Sequence, residues 1–248
     1  GSYGTLVVLS EITFKVLPAP EVSNTLVIHN KKIESAMYFL DKSINSSIDI
    51  SGAIFLPDKP EIPGCVMDIK KTFELNDLKR DGSITAIRIE GSIKPVNERL
   101  KSLISELQIE KESISILQSH QSEIFWNKIK SLEIFYSSKN SIIRIVIPPS
   151  ECINLIYQFS NKFKYYLDWG GALIWLEAFE LSEEMFDSIR RKVVKLGGYV
   201  TMIKNSEYLP YVEDVFTINR NRFNISQNIK KSFDPKGILN PGKMYTGI

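Results

Sequence analysis

Lys164-Tyr165-Tyr166-Leu167-Asp168-Trp169-Gly170-Gly171-Ala172-Leu173-Ile174-Trp175-Leu176-Glu177 decides the fold. Two runs rich in aromatic and branched side chains flank a Gly-Gly pair. Glycine tolerates the positive φ that a tight reversal needs, so Lys164–Asp168 and Ala172–Glu177 predict an antiparallel hairpin. Before the hairpin, Ile153, Ile156 and Phe159 recur at helical spacing behind a Ser150 cap, and Ile142–Ile147 reads as a strand. After it, Ser182 caps a helix, and Leu181 and Phe186 occupy the positions of a hydrophobic staple. Gly197-Gly198 stops that helix, and Tyr199–Ile203 reads as a strand. The order is βαββαβ.

The same order occurs upstream. Thr25–Ile28 is a strand, and Ile33, Ala36, Met37, Leu40 and Ile44 form a helical stripe. Ile48–Leu56 and Ile84–Glu90 are strands. Ile93, Val96, Leu100, Leu103, Ile104 and Leu107 make a second stripe behind Ser92, and Ser113–Leu117 closes the half as a strand. A helix bearing Ile124, Phe125, Ile129 and Leu132 joins the two halves. The expected fold is α+β: one antiparallel sheet from two ferredoxin-like halves, with helices on one face. Leu6–Leu9 and the alternating Ile12, Phe14 and Val16 predict a pair of strands, or one bent strand, ending at Pro18-Ala19-Pro20. Ile218 to Phe233 predicts a last helix, stopped by Asp234-Pro235-Lys236-Gly237.

The chain has 248 residues, 43% hydrophobic and 24% charged, with a formal net charge of +2. That balance suits a globular fold and gives no global attraction to nucleic acid or anionic lipid. The βαββαβ order also suits RNA-binding sheets, but the exposed aromatics and basic face these need are missing from the pattern. No apolar run approaches the length of a membrane span. Cys65 and Cys152 form no metal or redox spacing and read as buried small apolar residues, in keeping with a reduced, cytoplasmic setting. His29 and His120 are far apart and read as surface or capping residues. No metal site is expected. The pairs Lys70-Lys71 and Lys230-Lys231 read as solvated.

Two ends of the chain carry a family resemblance. Gly1-Ser2-Tyr3-Gly4-Thr5-Leu6 through Pro18 resembles the segment that closes the flavin-binding domain of FAD-linked oxidases of the vanillyl-alcohol oxidase type. Phe233-Asp234-Pro235-Lys236-Gly237-Ile238-Leu239-Asn240-Pro241-Gly242-Lys243-Met244-Tyr245 resembles their C-terminal signature. With Ile87-Arg88-Ile89-Glu90-Gly91-Ser92, Phe125-Trp126 and Leu167–Leu173, the chain is similar to the E-subunit family of bacterial glycolate oxidases. The fit favours Gly1-Ser2 as native residues rather than a tag scar.

The resemblance implies an accessory flavoprotein subunit of a complex that oxidises glycolate to glyoxylate. Its partners would be a catalytic flavin subunit, an iron–sulfur subunit and a separately encoded segment carrying the pyrophosphate loops. The setting would be cytoplasmic, peripheral to the inner membrane through the complex. The competing expectation is a non-catalytic scaffold, or the relic of a split subunit, with no flavin of its own. Residues 1–20 would be the last part of an FAD-binding domain, 21–216 the cap, and 217–248 a tail returning to the flavin. FAD would be met by Gly1, Ser2, Gly4, Thr5, Leu6, Asn240, Gly242 and Lys243, an incomplete site. Bare backbone permits close approach of a ring or phosphate, and an Asn amide both donates and accepts.

Arg144, alone among isoleucines, fits the family's arginine in that strand and needs an anionic partner. That partner is a substrate carboxylate or a protein Asp or Glu. Arg88 and Glu90 share a strand face and answer each other. Asp168 reads as part of a tight hairpin with Trp169 packed over glycine. The family's glycine, arginine and histidine give way here to Val7, Ile174 and Tyr199. The last two changes remove ionisable groups and weaken any case for acid–base catalysis.

Overall fold

The computed structural model describes residues 1–29, 31–57, 69–73, 82–136, 138–159 and 163–248. Cys65 and the side chains of Lys70 and Lys71 lie outside the described residues. The first half runs β1 (Val22–His29), α1 (Ile33–Ile44), β2 (Gly52–Leu56), α2 (Ile69–Phe73), β3 (Ile84–Gly91), α3 (Ile93–Leu107) and β4 (Ile114–Leu117). After α4 (Ser119–Lys130), the second half runs β5 (Ser141–Val146), α5 (Pro149–Phe159), β6 (Phe163–Asp168), β7 (Leu173–Ala178), α6 (Glu183–Lys195) and β8 (Tyr199–Lys204). The last helix is α7 (Arg220–Phe233).

All eight strands belong to one sheet in the order β4-β1-β3-β2-β6-β7-β5-β8. Each half has the ferredoxin-like order, and the halves meet edge to edge as mirrored sequences of strands. Strands within a half share long antiparallel registers, such as Val22↔Gly91 through His29↔Ile84. Among the described residues the seam between halves has a single register pair, Phe55↔Leu167.

Alternation along the strands sorts side chains onto two faces. Leu26, Ile28, Phe55, Ile87, Ile89, Ile143, Ile145, Leu167, Ile174 and Leu176 point to the face covered by α1, α3, α5 and α6, and they form the larger core. The four helices of the two halves therefore lie on one face. Val27, Ile54, Leu56, Ala86 and Tyr166 point the other way, under Phe73 of α2 and Phe125, Trp126 and Ile129 of α4. The joining helix thus adds a partial second layer and leaves the β5–β8 end of that face open to whatever the termini bring.

Several boundaries differ from the sequence reading. Residues 1–21 form no strand, and Val8, Leu9, Phe14, Val16 and Leu17 are exposed. Their alternation suits a strand, but no neighbouring strand pairs with them among the described residues, and a lone strand leaves its backbone groups unbonded. α5 begins at Pro149, whose fixed φ and missing N–H suit a first helical position, so Ser150 lies inside the helix rather than at its cap. Ser92 stands at the α3 N-cap without a side-chain cap bond, whereas Ser182 accepts from the Met185 N–H. β2 is shorter than its apolar run, because Ser46 Oγ receives the Ile48 N–H and holds residues 46–48 in a turn.

Candidate functional site

The two ends of the chain meet through a buried lysine. Lys230 faces inward from α7 and is 6% exposed. Its ammonium donates to Thr5 O, Asp234 Oδ2 and Leu239 O, each at 2.7 Å. Three N–H donors meet three acceptors, so the charge is fully bonded where a solvated lysine was expected. Asp234 also accepts the Leu239 N–H at 2.8 Å. The Lys230 ammonium, with that backbone N–H, holds the Asp234 carboxyl down to about 2. One carboxylate and one ammonium thus tie residue 5, the end of α7 and the turn before Asn240 into a clasp.

Thr5 folds back on Ser2, with its N–H and hydroxyl both donating to Ser2 O at 3.0 and 2.7 Å. Asn240 Nδ2 donates to Tyr3 O at 3.1 Å. A Cβ on Gly4 would sit 2.7 Å from Asn240 Nδ2, and Gly4 has φ +72°, so this close approach requires glycine. Of the proposed flavin-facing residues, Ser2, Gly4, Thr5 and Asn240 therefore share one small volume. Gly1 is exposed and Leu6 half-buried. The Gly242 N–H donates to Ile248 O at 2.6 Å, and exposed Lys243 closes the turn through its own N–H to Asn240 O at 3.2 Å.

The clasp lies at one end of the row that holds Arg144. Arg144 is opposite Trp175 on β7 and Thr201 on β8, and Thr201 in turn bridges to Phe216. The Phe216 ring packs on Tyr3 at 5.0 Å and on Tyr245 at 5.9 Å between centroids. Strand spacing puts two such steps, Arg144 to Phe216, at about 10 Å. Among the described residues Arg144 makes no ion pair; its guanidinium lies over Trp169, 5.1 Å from the ring centroid.

Asp168 caps the short turn Trp169–Gly171, accepting the Trp169 N–H at 2.7 Å. Burial pushes its carboxyl up, while that bond and the charges of Arg88 and Arg144 hold it down. Trp169 itself is 53% exposed and stacks on Arg144 rather than packing over glycine. The residues against the Gly170-Gly171 pair are Ile44 and Met37 of α1. The tryptophan that does pack on a glycine is Trp126, against Gly52. Trp126 also carries the Arg88 guanidinium at 4.7 Å, and Arg88 pairs with Glu90 at 3.3 Å as expected. A cavity of about 950 Å³ opens between Arg88, Trp126, Asp168, Trp169 and the 46–51 loop.

His29 closes β1 and is buried at 2% exposure, with Nε2 2.8 Å from Ser115 Oγ; the surface role expected of it is not what it has. His120 is exposed on the first turn of α4. Cys152 is buried, and desolvation pushes its thiol up to about 12, which makes it unreactive. No group of three or more His, Cys, Asp or Glu side chains among the described residues is placed to hold a metal ion. No helix among them is long and apolar enough to cross a membrane.

With the two ends converging near Arg144 on an eight-stranded sheet, the likeness to known proteins can be set beside the geometry. Residues 152–244 match the family model of the FAD linked oxidases, C-terminal domain. The matched stretch runs from α5 through α7 into the closing turn. It is 26% identical over 251 residues to glycolate oxidase subunit GlcE of Escherichia coli (strain K12), covering 100% of this chain and 56% of that protein. It is 23% identical over 275 residues to glycolate oxidase subunit GlcD of Bacillus subtilis (strain 168), covering 99% and 56%. The chain thus spans just over half the length of these relatives.

Among solved structures, alkyldihydroxyacetonephosphate synthase superposes with TM-score 0.58 at 15% identity, over 96% of this chain and 47% of that one. The 4-ethylphenol oxidase from Gulosibacter chungangensis superposes with TM-score 0.54 at 13% identity, over 93% and 55%. These two likenesses concern the fold.

The group that such a family implies is FAD. At the clasp the Asn240 amide fills the space over Gly4 and its Nδ2 is bonded to Tyr3 O, which leaves the Asn240 Oδ1 acceptor and the exposed Lys243 side chain for a group from outside. An acceptor and a cation on an exposed turn fit one edge of a planar ring carrying both donors and acceptors. Among the described residues no glycine-rich loop forms a phosphate cradle.

Proposed function

We propose that this chain is the C-terminal part of a flavoprotein subunit in a glycolate-oxidising complex. In this reading residues 1–20 belong with an FAD-binding domain, 21–216 form the cap and 217–248 return to the flavin. The flavin's ring edge meets Gly1, Ser2, Gly4, Thr5, Leu6, Asn240, Gly242 and Lys243, with its pyrophosphate held elsewhere. The partners are a catalytic flavin subunit and an iron–sulfur subunit, and the complex works in the cytoplasm or against the inner membrane.

The observation that carries this reading is the row Arg144–Thr201–Phe216, which sets beside the clasp a guanidinium that makes no salt bridge among the described residues. FAD, when bound, supplies the hydride acceptor. The chain's own part is to bind and orient. Arg144, steadied by Trp169, takes the substrate carboxylate through its planar fork. Phe216, Tyr3 and Tyr245 wall that end of the sheet and keep water from it. Neither histidine stands in this row, which supports an accessory role over acid–base catalysis.

Co-expression of the chain with a segment carrying the pyrophosphate loops tests the proposal. A stoichiometric flavin absorbance band bleached by glycolate is expected from the pair and not from the chain alone. A stoichiometric band retained by the isolated chain overturns the two-piece site. In the assembled complex, Arg144→Lys keeps charge but loses the fork, and KM for glycolate should rise at least about tenfold with the melting temperature unchanged.

A further inference from the structure

The sheet ends differently on its two sides. At β8 the chain covers its own edge: the Met202 N–H donates to Val215 O and the Thr217 N–H to Val200 O, both at 3.0 Å. At the other side β4 pairs with β1 through Thr25–Ile28, and among the described residues no further segment bonds the outer backbone of Ile114–Leu117. An open strand edge is a row of unpaired donors and acceptors that templates another strand.

Beside this edge, between α3 and β4, runs a groove of about 750 Å³. Its apolar lining is Ile104, Ile109, Ile114 and Ile116, and its only charged lining residues are Lys101 and Lys111. Ile116 is 41% exposed although its register partner Leu26 is fully buried. It occupies a core-facing position that lacks its outer neighbour. Lys111 opens the short turn Lys111–Ser113 that leads into β4, and Lys101 lies seven residues of helix before Gln108, about 10 Å away along α3.

We propose that the β4 edge and this groove bind an extended segment of a partner protein by strand addition. The segment presents one apolar side chain to the isoleucine trough, flanked on the same face by acidic residues. Side chains on one strand face recur about every 6.6 Å, so two acids either side of a central apolar residue are about 13 Å apart and reach the two lysines. The backbone edge supplies affinity, the trough supplies register, and the lysines supply the sign of charge.

The test uses the full chain and the labelled heptapeptide TETITET, with TKTITKT as its charge-reversed control, in fluorescence anisotropy and amide hydrogen exchange. The acidic peptide should bind at least about tenfold tighter than the basic one and protect amides of Ile114–Leu117. Ile116→Lys should weaken binding at least about tenfold. The surface double variant Lys101→Glu with Lys111→Glu should invert the preference, which a fold defect would not do. Absence of saturable binding up to about 1 mM, or binding without β4 protection, overturns the proposal. So does concentration-dependent self-association that protects the same amides, since the occupant is then a second copy of this chain.

Discussion

Lys230 is the residue on which the meeting of the two ends depends. Its three acceptors come from residue 5, the end of α7 and the turn before Asn240. Lys230→Met keeps the stem and removes all three charged hydrogen bonds. Amide exchange at Ser2–Leu6 should then accelerate at least about tenfold, the equivalent of one such bond. Acid should act in the same direction. The Asp234 carboxyl is held below its ordinary range, so its contribution is fully present above about 4 and is lost as pH falls through about 2. The protection factor at Ser2–Leu6, which removes the intrinsic pH dependence of exchange, should fall between those values in the parent and stay flat in Lys230→Met.

Tyr166 predicts the opposite kind of outcome. It is buried on the α4 side of the sheet, stacked between Phe135 and Trp175, and its hydroxyl has no hydrogen-bond partner among the described residues. Tyr166→Phe should be neutral or stabilising by about 1 kcal/mol in chemical denaturation. Nothing in sequence separates Tyr166 from Tyr165, just as nothing separates Lys230 from Lys231. Adjacent identical residues are told apart only by which side of an element faces the core. For Lys230 a signal existed in Asp234, four residues on and just before Pro-Lys-Gly, which is the spacing of a helical ion pair. His29 was missed because a strand-end histidine looks the same from sequence whether or not a neighbouring strand supplies Ser115 Oγ.

At the scale of elements, the reading succeeded where period and punctuation agreed. Leu181, Ser182 and Phe186 fixed the start of α6, and Gly197-Gly198 its end. The second glycine has a further reason. A Cβ on Gly198 would lie 2.4 Å from Val146 O, a backbone atom that cannot move aside. Gly198→Ala should therefore cost about 1–3 kcal/mol and lower the melting temperature, by loosening the entry of β8 onto β5. The reading failed at residues 1–21, where alternation is real but strand formation depends on a neighbour that alternation cannot report. Both hydrophobic stripes around Gly91-Ser92 and Ser182 were legible, while the second layer under α4 was not. A helix with apolar residues at i and i+4 does not say which face of a sheet it will cover.

At the scale of the whole molecule, two groups of exposed apolar residues adjoin the clasp in sequence. Ile225, Ile229 and Phe233 form a stripe along the outer side of α7, and Val8, Leu9, Phe14, Val16 and Leu17 are exposed along the opening segment. Both flank the clasp, and contiguous apolar surface of this kind marks a contact to be made. The isolated chain should bind a dye such as ANS and self-associate. Co-expression with the flavin-binding segment, or the surface pair Ile229→Lys and Phe14→Lys, should suppress both; unchanged dye binding in the co-expressed material would count against a contact there.

Among the described residues the ladder between β2 and β6 has a single register pair, Phe55 and Leu167. Backbone bonding is therefore thinnest along this line, a crease between two leaves. The hollow bounded by Arg88 on one leaf and by Asp168 and Trp169 on the other straddles that crease. The line from Arg144 to Phe216 lies wholly on the second leaf. Flexing about the crease would widen or narrow the hollow like a closing book while leaving the arginine's distance from the chain ends untouched.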